Sequence, residues 1–173
     1  MVKSHFKASN YSLCKLTPHP SGFYISYVAY DVLAQIHMRQ TGEKKPAYYA
    51  PSDERKDSLV FVPDNSWGMV TASDTIYIVD GVWDSITINY LGLPAMALLG
   101  SRISEDVKKI LSLYKQIILV QDNDQAGVSL FIELSKLFKN VWRVKIPVSI
   151  AKDIDEFHNK TSDNEARNLL KRS

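Results

Sequence analysis

Gln116-Ile117-Ile118-Leu119-Val120-Gln121-Asp122-Asn123-Asp124-Gln125-Ala126-Gly127 sets the terms on which the rest of the chain is read. An apolar, β-branched run gives way to paired aspartates and then to residues that open a helix. Asp122 and Asp124 stand two positions apart, so in extended backbone both side chains point the same way, held near the strand's end by short stems. Hard oxygen ligands at that spacing suit Mg²⁺ or Mn²⁺. The same residues also fit a solvated βα turn, with Asp124 as helix N-cap and Gly127 easing close packing.

Around this stretch, short β-branched runs alternate with helical periodicity. That is the pattern of an α/β domain built on a doubly wound, mainly parallel sheet with helices on both faces. Strands are expected at Thr75 to Val79, around Pro94 to Leu98, at Gln116 to Gln121, and at Val141 to Ile146, where Pro147 ends the run. Helices are expected at Trp83 to Leu91, at Ser104 to Tyr114 with Ser104 as N-cap, and at Gln125 to Lys139. The polar end, Asp163 to Ser173, reads as a solvated helix with a frayed tip.

Before Thr75 the character is β-rich. Gly22 to Tyr30 and Val32 to Met38 read as antiparallel strands turning at Asp31, a basic turn runs from Gln40 to Pro46, and Ser58 to Val62 is a further strand. The expected organisation is a smaller, basic, β-rich N-terminal subdomain over residues 1–73, the α/β domain over 74–160, and a polar C-terminal helix and tail over 161–173.

Composition narrows the chemistry. With 173 residues the chain can bury a real core, and a net charge of +2 means that any polyanion site must be local. One cysteine, Cys14, supports neither an internal disulfide nor a cysteine-rich zinc module, which fits an intracellular setting. No window is long and apolar enough to span a bilayer, so no membrane partner is expected.

Further acids follow the other strand ends. Asp80-Gly81 closes the first strand and Asp84 lies one turn into the next helix. First and third strands of a doubly wound sheet are commonly neighbours, with ligands outside their carboxyl ends, which would set Asp80 beside Asp122 and Asp124. Crowded carboxylates repel one another unless cations neutralise them. After the last strand come Lys152-Asp153-Ile154-Asp155-Glu156-Phe157-His158. Asp153 and Asp155 can bind metal or form the acidic first turn of a helix, Lys152 can meet a phosphate or pair with an acid, and Glu156 and His158 read as solvated or packing residues.

These three blocks, in this order, resemble the Toprim domain shared by bacterial-type primases, topoisomerases and some nucleases. The run from Gln116 to Gly127 and the block from Lys152 to His158 look most like the primase half of phage primase-helicases and their mitochondrial relative. The likeness continues through the strand pair ending at Arg39 and the Lys45-Pro46 loop, covering roughly Gly22 to His158. It implies a Toprim domain over 74–160, with Asp80, Asp122 and Asp124 catalytic and Asp80, Asp84, Asp122, Asp124, Asp153 and Asp155 around Mg²⁺ or Mn²⁺. It also implies that Arg39, Lys44, Lys45 and Lys152 contact template or nucleotide phosphates.

The activity implied by the likeness is Mg²⁺-dependent synthesis of short RNA primers on single-stranded DNA from nucleoside triphosphates. Metal-dependent nuclease action, or a catalytically degenerate nucleic-acid or replisome-binding role, stands as the alternative. The absence of a phosphate-loop motif and of a cysteine-rich module implies a separate helicase or zinc-bearing template-recognition partner, in the cytoplasm at the nucleoid or in a phage-infected host. One departure stands out, because the family usually has Glu where this chain has Asp80. Aspartate keeps the charge and shortens the reach by about 1.5 Å.

Overall fold

The structure, a computed structural model, describes residues 16–19, 22–29, 32–40, 48–49, 60–63, 66–98 and 103–171, the first four of these spans as backbone alone. Near the N-terminus β1 (Leu16–His19), β2 (Gly22–Ala29), β3 (Val32–Gln40) and β4 (Tyr48–Tyr49) form an antiparallel sheet in that order. The expected strand pair is β2 and β3, with a register irregularity between Tyr27 and Val28. Arg39 lies in β3, opposite Phe23 on one side and Tyr48 on the other. Lys44 and Lys45 lie outside the described residues.

The second sheet is five-stranded, in the order β5 (Val60–Phe61), β7 (Ala95–Leu98), β6 (Thr75–Val79), β8 (Gln116–Gln121), β9 (Val141–Lys145). Pairing is parallel from β7 through β9 and antiparallel between β5 and β7. The expected neighbours, β6 and β8, are adjacent. Val60–Phe61, grouped by sequence with the N-terminal strands, instead extends this sheet. Phe61 and Val62 are buried in the cores on opposite faces, and that burial is what recruits so short a strand.

Helices cover both faces. On one side α2 (Val82–Tyr90), α5 (Ile154–Lys160) and α6 (Asp163–Leu170) pack over Tyr77, Val79, Ile118 and Val120. On the other, α1 (Trp67–Ala72), α3 (Glu105–Leu111) and α4 (Gln125–Leu137) pack over Ile76, Ile78, Ile117 and Leu119. Alternation along each strand divides these residues, and it makes both faces apolar as a covered parallel sheet requires. The Ser104 cap forms as expected, its hydroxyl accepting the Val107 N–H at 3.2 Å. Gly92 follows α2 with φ 80°, a left-handed conformation that glycine adopts without strain. Among the described residues no helix is long and apolar enough to cross a membrane.

Two helices differ from the sequence reading. α1 forms in the stretch expected to be β-rich, where no helix was expected, because Trp67 and Val70 find a place on the sheet. α6 is not merely solvated. Ala166 and Leu170 are fully buried, Arg167 Nε donates to the Leu91 carbonyl at 2.9 Å, and a Ser162–Glu165 capping box starts the helix.

Candidate active site

Parallel register sets the site. Ile78 lies beside Leu119, and Leu119 beside Arg143, so β6, β8 and β9 deliver their carboxyl ends to one edge of the sheet. Asp80 follows β6, Asp122 follows β8, and Asp153 follows the short loop after β9. Asp84 comes from the first turn of α2 and Asp155 from that of α5.

Three of the carboxylates have raised proton affinity, from burial first and from neighbouring acids next. Burial, then the charges of Asp153, Asp80 and Asp124, push Asp122 up to about 7, against a smaller opposing effect of Lys152. Burial and Asp124 raise Asp80. Asp84 is raised well above the carboxylate range by burial first and by Asp122 and Asp153 next. The site is therefore a band of acids running from Asp84 and Asp153 through Asp122 to Asp80 and Asp124. Asp80, Asp84 and Asp122 carry an electrostatic cost that a cation would relieve. Among the described residues, no three His, Cys, Asp or Glu side chains are already gathered closely enough to hold an ion.

Several of these acids also hold the scaffold. Asp124 caps α4, its Oδ1 accepting the Gly127 N–H at 2.8 Å, and it remains exposed, so cap and cluster member are the same residue. Asp153 caps α5 by accepting the Glu156 N–H at 2.8 Å, and Lys152 Nζ pairs with it at 3.0 Å. Lys152 thus forms the ion pair that its sequence allowed. Asp84 is buried and its Oδ1 accepts the Asp155 N–H at 3.1 Å, while Asp155 Oδ1 accepts from Thr87 Oγ1 at 2.9 Å. These bonds tie α2 to α5 beneath the acidic band. Gln121, just before Asp122, buries an Oε1 that has no hydrogen-bond partner among the described residues.

Glu156 accepts the Lys152 N–H at 2.8 Å and pairs with Lys160. His158 is buried, its Nε2 2.8 Å from Asp163 Oδ1 and its ring 5.8 Å from that of Tyr90. His158 is a packing residue, while Glu156 makes its contacts at the surface.

Asn123 is the residue that sequence reading passed over. Its side chain donates to the Ile146 carbonyl at 3.0 Å and the Ala151 carbonyl at 2.9 Å, and its N–H donates to the Lys152 carbonyl at 2.8 Å. It staples the Asp122–Asp124 turn to the Lys152–Asp153 loop. Nothing in a lone Asn between aspartates announces this, because its partners are more than twenty residues away. Asn123→Ala is expected to cost about 1–3 kcal/mol by orphaning those carbonyls, seen as a lower denaturation midpoint. An unchanged midpoint would remove the staple from the account.

Residues 77–158 match the Toprim-like family model. No curated protein matches the chain in sequence. Among solved structures, the chain is similar to the RNA polymerase domain of the Mycobacterium tuberculosis primase DnaG, at 17% identity and a TM-score of 0.70, over 87% of this chain and 54% of that one. It is also similar to the primase fragment of the bacteriophage T7 primase-helicase, at 18% identity and a TM-score of 0.69, over 90% of this chain and 66% of the other. A third likeness is to the Aquifex aeolicus primase, at 21% identity and a TM-score of 0.70, over 87% of this chain and 40% of that one. The chain spans about half the length of the Mycobacterium domain, with 54% of that chain covered. What these structures share with it is the fold.

Proposed function

From a Toprim-like domain over residues 77–158, in a chain with the fold of primase catalytic cores, we propose that the protein is a metal-dependent nucleotidyltransferase making short RNA primers on single-stranded DNA. The observation that carries this reading is the band of acids at the carboxyl edge of β6 and β8, where Asp122 is pushed up to about 7 by burial and its neighbours. Such crowding fits a divalent cation, and hard carboxylate donors fit Mg²⁺ or Mn²⁺. Support comes also from relatives of this fold, one primase catalytic domain bound to single-stranded DNA and the T7 primase domains bound to an RNA/DNA hybrid.

Asp80, Asp122 and Asp124 would hold the cation, with Asp84, Asp153 and Asp155 behind them. Bound there, it would supply neutralisation of triphosphate charge and alignment for attack by a 3′-hydroxyl. The protein's own part is positioning. Asp84 and Thr87 fix the start of α5, Asn123 fixes the Asp122–Asp124 turn, and the capping bonds of Asp124 and Asp153 set where the two helices begin. Arg39, Lys44 and Lys45 would contact template or nucleotide phosphates, and Lys152 would do so after leaving Asp153. A helicase and a zinc-bearing template-recognition protein would supply unwinding and start-site choice, in the cytoplasm where replication proceeds.

The test is direct. Incubated with single-stranded DNA, ribonucleoside triphosphates and Mg²⁺ or Mn²⁺, the chain is expected to make short RNA, and Asp124→Ala to lose at least a hundredfold in rate. Absence of primers under all these conditions from a folded chain would overturn the reading. Template cleavage in their place would redirect it to nuclease chemistry.

A further inference from the structure

Between Leu134 and Lys152 the sequence contains no Asp or Glu, while Lys136, Lys139, Arg143 and Lys145 all fall within it. The fold turns that local bias into a surface. The last turn of α4 leads into β9, and β9 is the outermost strand of the five-stranded sheet. Lys136, Lys139, Arg143 and Lys145 are all exposed. Several lysines elsewhere pair with acids, Lys108 with Glu105, Lys109 with Asp106, Lys115 with Asp74 and Lys160 with Glu156. None of the four at this edge has an ion pair among the described residues.

Aromatic surface lies among these charges. Trp142 is 56% exposed on β9, between the main-chain positions of Val141 and Arg143. Arg143 lies over Phe131 of α4, its Cζ 4.5 Å from the ring centre. Side chains on an edge strand alternate between the two faces, so Trp142 and Arg143 flank the same rim and a polymer along that rim can touch both. Arg143 and Lys145 repeat on one side about 6.6 Å apart, a spacing on the scale of successive phosphates in an extended strand. The rim has a direction too. Lys145 pairs in register with Gln121, so the basic edge ends beside Asp122 and the acidic band.

We propose that the β9 edge is a track for single-stranded nucleic acid, with Arg143 and Lys145 on phosphates, Lys136 and Lys139 adding to the field, and Trp142 stacking a base. Charge complementarity selects a polyanion, and the exposed tryptophan selects one with unpaired bases. Lysines on an open edge also deter sheet-to-sheet pairing, but that role does not call for a large exposed aromatic on the same strand. This placement rests on the primer-synthesis reading only for its purpose, which is to lead the strand toward or away from the acids.

The experiment is a fluorescence-anisotropy titration of the full chain with a labelled single-stranded oligodeoxynucleotide, in chelator, across a salt series. Trp142→Ala is expected to weaken binding about tenfold. Arg143→Gln with Lys145→Gln is expected to flatten the slope of log affinity against log salt by about 1.4. Lys145→Gln alone, at an exposed position, is expected to flatten it by about half as much, which guards against misfolding of the double variant. Lys108→Gln with Lys109→Gln, on α3, serves as the control and is expected to bind as wild type. Wild-type affinity and slope in all the β9 variants would overturn the proposal, as would equal losses in the α3 control. Because binding is read without metal or synthesis, failure of the track with primers still made, or a working track without primers, separates this proposal from the one it rests on.

Discussion

Asp122→Asn is expected to make the metal-free protein more stable while lowering the proposed primer synthesis at least a hundredfold. Asp122 in the folded chain keeps its proton up to about pH 7, whereas its ordinary value is 3.8. Between those values the folded state holds a proton that the unfolded state has released, so the stability contributed by Asp122 falls as pH rises from about 4 to 7 and then levels off. Asparagine carries no charge, and the variant's advantage grows across that window. A shift of this size would correspond to about 4 kcal/mol for a fully shielded group. Asp122 is partly exposed, and solvent screening brings the expected gain to about 1–2 kcal/mol. For a chain of this length that is roughly 2–8 °C in melting temperature above pH 7.

The same substitution removes a central member of the acidic band. Added Mg²⁺ or Mn²⁺ is expected to raise the melting temperature of the wild type and to leave that of Asp122→Asn nearly unchanged, since a cation stabilises only what it binds. Primer synthesis is expected to fall by at least a hundredfold. Melts in chelator at pH 4.5, 6 and 8, repeated with the metal, check each part. A variant that melts below wild type at pH 8 in chelator would show that Asp122 is not under repulsion. Stability gained at the expense of function is the signature of a site whose acids are crowded for a purpose.

Gly127→Ala is expected to damage fold and site together. Gly127 sits in the first turn of α4, against the strand end it follows. A Cβ there would come within 2.5 Å of the Asp122 carbonyl oxygen and 3.0 Å of the Asp122 nitrogen. The obstructing atoms are backbone, which cannot swing aside as a side-chain tip can. Alanine favours a helix over glycine by about 1 kcal/mol, but overpacking of this kind costs about 1–3 kcal/mol and occasionally more. The clash therefore wins or at best cancels. Either α4 tilts or the Asp122 backbone moves. Displacement by about 1 Å at a phosphoryl-transfer site costs roughly a hundredfold in rate. Thermal melts and primer assays side by side test this, and wild-type values in both would mean the helix accommodates the methyl group.

The order of acids along the chain was legible because it is tied to local signals. The apolar run from Gln116 to Gln121 appears with the expected bounds, and the first and third strands of the series lie side by side. Ser104 and Asp124 cap helices as short polar residues before periodic runs do. Less local features escaped. α1 has weak periodicity of its own and exists because Trp67 and Val70 meet the sheet, while α6 looked solvated because its sequence is mostly polar, with Ala166 and Leu170 buried and Leu169 packed against the same core.

By itself, the sequence determined where β8 ends, that Ser104 and Asp124 start helices, and that acids recur after three strands of an α/β pattern, since period and capping are properties of neighbours a few residues apart. Only the tertiary structure decided how those acids divide their work. The Asp84 bond to the Asp155 N–H, the Thr87 bond to Asp155, and the Asn123 staple join residues far apart in the chain. The rise of Asp122 to about 7 likewise comes from burial and from Asp153 and Asp80 approaching through space. Hydrogen bonds and Coulomb repulsion depend on distance in space, and for these groups it is the packing of α2 and α5 on the sheet that creates that distance.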